Sequence, residues 1–318
     1  VRRAAESLQR EGLVVKIRRK GTLTRPPQIA LRRKPSGAKL LGYLQIDFQA
    51  IRGLEEVTNR AIDGLMLQGA MAEAGQRGYR LMAQHVLQAE LRQGFSEMCR
   101  QPDLCGLILA SFAEEKLLGQ ALGLGFPIVL LDQRCKLANV SSINDDSVEG
   151  ARQAVRYLAG LGHRRIAYAH WQRGGLNPLK VRGYREGLRE ARLPRRRDWE
   201  IVVELTREGA RQVVDRWLNL APRPTALYCF NNTFAHFVVQ EALLRGLRVP
   251  QDLSIMGDGG EEVCGLTCLQ VDWFQMGRTA IQVLLRSFAA GGKHAPEHID
   301  FPHRLCVGQT TAPPGGGA

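Results

Sequence analysis

The sequence has no apolar run approaching the ~18 residues of a membrane-crossing helix, and its opening, VRRAAESLQREG, is charged throughout. A membrane span is therefore excluded, and the amino terminus does not read as a secretory leader. Cysteine is sparse and scattered, at Cys99, Cys105, Cys135, Cys229, Cys264, Cys268 and Cys306. The odd number and the lack of any C-x-x-C pair point away from a disulfide framework or a zinc ribbon, and a reducing cytoplasm is the expected setting. There is also no G-x-S-x-G elbow and no H-E-x-x-H. Gly123 and Gly125 follow a helical stretch rather than a strand, and Gly291-Gly292-Lys293 lacks the P-loop spacing and its Ser or Thr. His294, His298 and His303 fall close together in a loop-like stretch and Cys264 and Cys268 lie four apart. Histidines of that kind are expected to be solvated rather than to bind metal. The sequence thus predicts no catalytic apparatus, no cofactor and no metal. It begins with Val rather than Met, so it reads as a piece of a longer protein.

What is present is a soluble globular composition, 44% hydrophobic and 24% charged, in a chain long enough for two core-bearing lobes and a small extra module. The net charge of +13 is concentrated at one end: residues 1–39 hold 12 Lys and Arg against 2 acids. A basic block of that size is the electrostatic footprint of a polyanion contact or, equally, of a solvated tail.

Within this head, residues 1–12 have the spacing of a helix with Ala4, Ala5 and Leu8 on one side, ended by Gly12. β-prone residues 13–17, a basic turn and residues 22–24 predict a hairpin after it. A helix followed by a basic hairpin is the second half of a winged helix-turn-helix. Residues 25–39, with three prolines and a basic run, read as a linker.

From Leu40 onward, strands and helices alternate. Strands are expected at 40–46, 79–84, 106–110, 127–132, 140–143, 165–169, 201–204, 226–230, 253–256 and 304–308. Helices are expected between them, on the apolar spacing of Leu54, Val57, Ala61 and Leu65, and near 88–100, 179–192, 207–219, 233–245 and 276–288, with another ending near Leu122. That pattern predicts an α/β protein with a doubly wound parallel sheet. Residues 144–171 join two αβ halves. Ala151, Ala154, Val155 and Leu158 give the helix its apolar face, and Gly160 and Gly162 end it. The strand that follows is expected to complete a right-handed parallel crossover. Asp145 and Asp146 stand at the carboxyl end of a strand, where open α/β sheets face their ligands. Asp145 either faces a ligand or caps the helix, and Asp146 is assigned to capping. Asn232 is placed to cap the helix near 233–245.

Asp145-Asp146-x-x-Glu149-Gly150, followed by Leu161-Gly162-His163-Arg164-Arg165-Ile166-Ala167, resembles the effector domain of the LacI/GalR family of bacterial transcription regulators. Ala226 to Asn231-Asn232 and Ala235, Gly246 to Ser254, and Gln275-Met276-Gly277 extend the resemblance over 40–313. It implies two doubly wound parallel-sheet lobes of the periplasmic binding protein-like type I fold. Lobe 1 would hold about 40–161 and 274–290, lobe 2 about 162–273 and 291–313, with three crossings between them and a disordered tail at 314–318. Val1-Arg2-Arg3-Ala4, Leu8, Glu11-Gly12-Leu13-Val14 and Gly21-Thr22 resemble the GntR family of DNA-binding domains, with Arg19 where the wing's first glycine belongs. The two helices that should precede the recognition helix are missing, so residues 1–24 read as a truncated winged-helix remnant.

These resemblances imply a cytoplasmic, ligand-responsive, DNA-binding transcription regulator of repressor type, a homodimer with no membrane contact. Operator DNA would be bound by the intact parent through Arg2, Arg3, Arg18, Arg19, Lys20, Gly21 and Thr22. The effector, a sugar or sugar derivative, would be bound by Asp47, Phe48, Asp145, Lys180, Tyr228, Asn231, Asp258 and Trp273. Several of these depart from the family's pattern. Lys180 stands for a pocket arginine and loses its planar fork. Gly257-Asp258-Gly259-Gly260 replaces G-F-D-D, and Asp47-Phe48-Gln49 replaces N-P-F-F. Tyr228 is either pocket wall or ordinary core. The alternative is a solute-binding protein of a transport or sensing system, for which the basic head and the missing export signal are unsuited.

Overall fold

A computed structural model describes residues 14–17, 21–24, 39–47, 60–111, 115–123, 125–134, 140–171, 177–260, 263–291 and 295–315. Residues Arg2, Arg3, Arg18, Arg19, Lys20, Phe48, Leu54 and Val57, with the expected recognition helix, most of the linker and the last three residues of the tail, lie outside them. The hairpin is present: β1 (Val14–Ile17) pairs antiparallel with β2 (Gly21–Thr24), which carries Gly21 and Thr22.

Two six-stranded sheets form the body. The first takes β3 (Leu40–Asp47), β4 (Arg80–Leu87), β5 (Leu104–Ala110), β6 (Ile128–Leu131), β7 (Ser141–Asp145) and β13 (His298–Phe301), in the order β13-β7-β6-β5-β3-β4 and parallel throughout. The second takes β8 (Ile166–His170), β9 (Glu200–Val202), β10 (Ala226–Cys229), β11 (Ser254–Asp258), β12 (Thr267–Gln270) and β14 (Arg304–Cys306), in the order β14-β12-β11-β10-β8-β9. Only β14 in that sheet runs antiparallel to its neighbour.

Both sheets are covered on both faces, which is why their central strands read as unbroken apolar runs. In the first lobe, α1 (Arg60–Gln76) and α8 (Trp273–Ala289) press Met66, Ala70, Ile281 and Leu284 onto Tyr43, Ile108 and Val129. On the opposite face α2 (Leu91–Cys99) and α3 (Glu115–Leu122) bring Phe95, Met98, Leu117 and Leu118 to Leu44, Leu107 and Leu109. In the second lobe, α4 (Ser147–Gly160) and α5 (Asn177–Glu190) cover Tyr168, Tyr228 and Met256. There α6 (Arg207–Leu218) and α7 (Asn232–Leu244) cover Ala169, Leu227 and Ile255.

The chain passes between the lobes three times, at Asp146, at Val271-Asp272 and at Pro302-His303. This corrects the expected lobe boundaries. The first crossing lies before α4 rather than after it at 161, because the apolar face of that helix packs on α5 and the second sheet. β7 and β8 therefore belong to different sheets and do not make a parallel crossover in one sheet. The third crossing lies beyond the expected 290 because β13, a four-residue edge strand, adds to the first sheet before the chain leaves it. Neither β13 nor β12 was expected as a strand.

Two glycines set how closely α1 and α8 approach. A β-carbon on Gly277 would lie 1.9 Å from the Met66 carbonyl oxygen, and one on Gly69 would lie 1.9 Å from that of Phe274. Gly277→Ala is therefore expected to force the helices apart and lower stability by roughly 2 kcal/mol, the ordinary cost of overpacking. Gly75→Ala, on the same helix pair with nothing within 4 Å, is expected to be neutral or slightly stabilising. Urea denaturation of the two variants distinguishes a packing effect from a general intolerance of alanine.

Candidate functional site

The carboxyl ends of both sheets face one another across the crossings, and the loops leaving them enclose a cleft of ≈ 710 Å³, its open mouth included. The first lobe contributes Ile62, Asp132, Asp145 and Trp273, and the second contributes Ser147, Trp171, Lys180, Leu205, Phe230, Asn231, Asp258, Gly259 and Gly260.

Asp145 ends β7 and is buried. Its carboxylate accepts from Ser147 Oγ at 2.8 and 3.0 Å and pairs with His303 Nε2 at 3.0 Å. Asp146, one residue on, caps α4 by accepting from the Glu149 N–H at 3.1 Å, as expected for it, and this leaves Asp145 out of the cap. Asp258 ends β11 with no exposed surface. Its Oδ2 lies 3.0 Å from Lys180 Nζ and also accepts from the Tyr228 hydroxyl, and its Oδ1 lies 2.8 Å from His303 Nδ1. That last approach is an ion pair without good hydrogen-bond geometry. His303, at the third crossing, thus bridges one carboxylate from each sheet. Burial alone would lower its pKa, but Asp258 and Asp145 outweigh that and raise it to about 9. Burial would likewise raise Asp145 and Asp258. His303 and Lys180 instead hold both below the usual carboxylate range, with the Ser147 hydrogen bond helping at Asp145 and the Tyr228 hydroxyl at Asp258.

The glycine of α4 is explained by this bridge. A β-carbon on Gly150 would lie 2.6 Å from His303 Nδ1, so the helix can approach the ring only without a side chain. Gly259 and Gly260 have φ of 64° and 102°, a backbone suited to glycine. They stand where the resemblance leads one to look for an acidic side chain, and leave that space open to the cleft.

Among the expected effector residues, Asp145, Lys180, Asn231, Asp258 and Trp273 come together in the lining. Tyr228 does not reach it. The ring is fully buried, stacked on Tyr168 at 4.7 Å, and acts beneath the cleft by holding Asp258. Asp47 ends β3, and Phe48 lies outside the described residues. Asn231 rather than Asn232 caps α7, accepting from the Phe234 N–H at 3.0 Å, while Asn232 is the first helical residue and wholly buried. Asn232 cannot serve as expected because the turn into α7 starts one residue earlier.

The expectation of solvated histidines fails at His303, which is 9% exposed. His298 sits in β13 with its ring on Ser142 Oγ at 3.0 Å, so the two described histidines of that group serve different sites. Among the described residues no group of three metal-ligating side chains converges, and no helix is long and apolar enough to cross a membrane.

Asp132, Trp171 and Phe230 were missed. Each directly follows a parallel strand, β6, β8 or β10, so the rule that singled out Asp145 could have found them. Asp132 has a left-handed backbone, φ 53°, and is 8% exposed. Burial, then the charges of Asp145 and Asp63, push its carboxyl well above the ordinary range, with Lys180 offsetting this only in part. The indole N–H groups of Trp171 and Trp273 are buried without a partner among the described residues.

Residues 155–311 match the family described as periplasmic binding protein-like domain. The HTH-type transcriptional repressor PurR of Aliivibrio salmonicida is 30% identical over 186 residues, 56% of this chain and 56% of that protein. The chain's match spans about half the length of the curated relatives of this kind. A regulatory protein of the LacI family from Chloroflexus aggregans superposes with a TM-score of 0.75 at 25% identity, over 86% of this chain and 98% of that one. A LacI family transcriptional regulator from Enterococcus faecium, solved with bound ribose, gives 0.71 at 20% identity over 86% and 99%. The match over residues 155–311 and the architecture agree on a two-lobed, periplasmic binding protein-like fold, similar to that of the LacI family regulators.

Proposed function

We propose that this chain is the effector-sensing part of a cytoplasmic, DNA-binding transcriptional repressor, acting as a homodimer. The observation that carries the reading is the cleft at the three crossings, lined from both lobes in a chain similar to PurR-type repressors. A small molecule that touches both walls favours the arrangement of lobes in which both contacts are made, and shifts the protein toward it by its difference in affinity for the two states. In the dimer that shift changes the spacing of two DNA-binding heads, so effector and operator affinity are coupled reciprocally.

The indoles of Trp171 and Trp273 beside Phe230 suit a sugar or sugar derivative, which offers a ring face and hydroxyls together. The ribose held by the Enterococcus faecium regulator is consistent with that class. The operator would be bound by the intact parent through the amino-terminal head. There the hairpin of β1 and β2 serves as a GntR-type wing, with Arg18, Arg19, Lys20, Gly21 and Thr22 at the phosphates and Arg2 or Arg3 at base edges.

A thermal-shift screen with sugars, sugar derivatives and nucleosides tests the sensor. An effector present at a hundredfold its Kd is expected to stabilise the protein by about 2.7 kcal/mol. The same compound should alter the affinity of the intact parent for operator DNA selected in vitro. A ligand that stabilises the protein but leaves DNA affinity unchanged would favour a solute-binding role instead.

A further inference from the structure

The charges lining the cleft do not balance. Lys180 is committed to Asp258, and His303, behind the wall, is shared by Asp258 and Asp145. Three carboxyl groups, with Asp132 as the third, thus face two cations, so Asp132 can ionise only as an uncompensated charge. Asp132 is more than nine-tenths buried, lines the cleft, and has neither a hydrogen-bond nor an ion-pair partner for its side chain among the described residues. Its neighbours make matters worse, since Asp145 and Asp63 both repel its charge. A buried carboxyl left in that state, on a left-handed backbone, is poorly explained by the fold alone. The same cleft is lined by Trp171 and Trp273, whose π systems attract cations.

An anionic ligand would meet a wall whose two described cations, Lys180 and His303, are already committed to Asp258 and Asp145. A neutral polyol would leave Asp132 protonated and gain only an ordinary hydrogen bond. A cation answers the imbalance. We infer that the effector carries a protonated amine that seats on Asp132 in the cleft that both indoles line, on a scaffold that also offers a ring face: an amino sugar or a related polyhydroxylated amine. The inference rests on the sensor reading above and narrows its ligand class.

Burial and the carboxylates of Asp145 and Asp63, only partly countered by Lys180, favour the protonated form of Asp132. An arriving ammonium supplies the missing positive charge, so Asp132 ionises and its proton passes to solvent.

The test is isothermal titration of the full chain with D-glucosamine, D-galactosamine, their neutral counterparts D-glucose and D-galactose, and D-gluconate, in two buffers of different ionisation enthalpy. At least one amino sugar is expected to bind about tenfold or more tightly than its neutral counterpart, as a charge-assisted hydrogen bond implies, with up to one proton released per ligand. Asp132→Asn should bring that ratio close to one and abolish proton release. Asparagine tolerates the left-handed backbone and matches the neutral carboxyl in size, so the unliganded melting temperature should hold, which separates loss of recognition from loss of fold. Equal or tighter binding of a neutral sugar, preference for gluconate, or an amine preference that survives Asp132→Asn overturns the inference while leaving the sensor intact. Failure of every probe also overturns it. The sensor reading falls with it only if the wider screen of sugars and nucleosides finds no ligand either.

Discussion

Replacing His303 with leucine is expected to cost about 3–5 kcal/mol, the loss typical of removing one partner from a buried ion pair. The ring fills a space that Gly150 leaves for it, and it touches Asp145 at 3.0 Å and Asp258 at 2.8 Å. Leucine fills the space without the charge. Lys180 is then the remaining cation for two buried carboxylates, and it already stands 3.0 Å from Asp258. Asp145 keeps its Ser147 hydrogen bonds but must take up a proton or draw in water. Because Asp145 closes the first sheet and Asp258 the second, the loss falls on the joint between lobes. Hydrogen exchange is expected to speed up near residues 144–147 and 301–306 before it does so in either sheet centre.

His303→Gln, which can still donate to a carboxylate, should fall between wild type and leucine. Adding Asp145→Asn to His303→Leu should recover part of the loss, since the second change removes the charge stranded by the first. Urea denaturation of the four proteins reads this as a coupling energy. A loss below about 1 kcal/mol in His303→Leu, the range of an exposed pair, or simple additivity in the double variant, would show that the bridge is not what holds the joint.

The frame of the molecule was legible before its coordinates. Parallel strands buried on both faces announce themselves as apolar runs, and Gly160 and Gly162 mark the end of α4. Residues 267–270 show no period of two, and 298–301 alternate for only four residues within a run of histidines and prolines that reads as loop. The omission of β13 moved the third crossing and hid His303, whose meaning depends on β13 and β14 belonging to different sheets. Asp145 and Lys180 were named from their position and from resemblance, and they do meet in the cleft. Asp132 escaped notice although it stands at the end of β6 as Asp145 stands at the end of β7. Its importance lies in having no partner, and a sequence does not display missing partners. Tyr228 shows the converse: it was read as wall or core, and it lies in the core directly under the wall.

Stability is expected to fall as pH rises from 6.5 to 9, and His303 is the reason. Its folded pKa, raised to about 9 from an ordinary 6.5, means the native state holds a proton there that the unfolded chain gives up. The resulting stabilisation is complete below 6.5 and is lost as pH climbs through 9, a change on the order of 3 kcal/mol. The groups facing the ring are Asp145 on β7 and Asp258 on β11, with Lys180 of α5 beyond Asp258. The two carboxylates are held below their ordinary values, so their own contribution is present above about pH 4 and disappears only in acid. His163 and His170 shift the other way, chiefly through burial. A depressed histidine pKa contributes stability above 6.5 that is lost as pH falls, so neither residue masks the alkaline limb. Asp132, raised by burial, contributes in the same sense as His303, its share being lost as pH rises above the ordinary carboxylate range. The measurement is unfolding free energy against pH for wild type and His303→Leu. The decline between 6.5 and 9 should be markedly steeper in the first than in the second, which keeps only the declines from Asp132 and the buried cysteines, so that the two curves converge toward pH 9 and above. Parallel curves across that interval would mean that the imidazole is not charged between its two carboxylates.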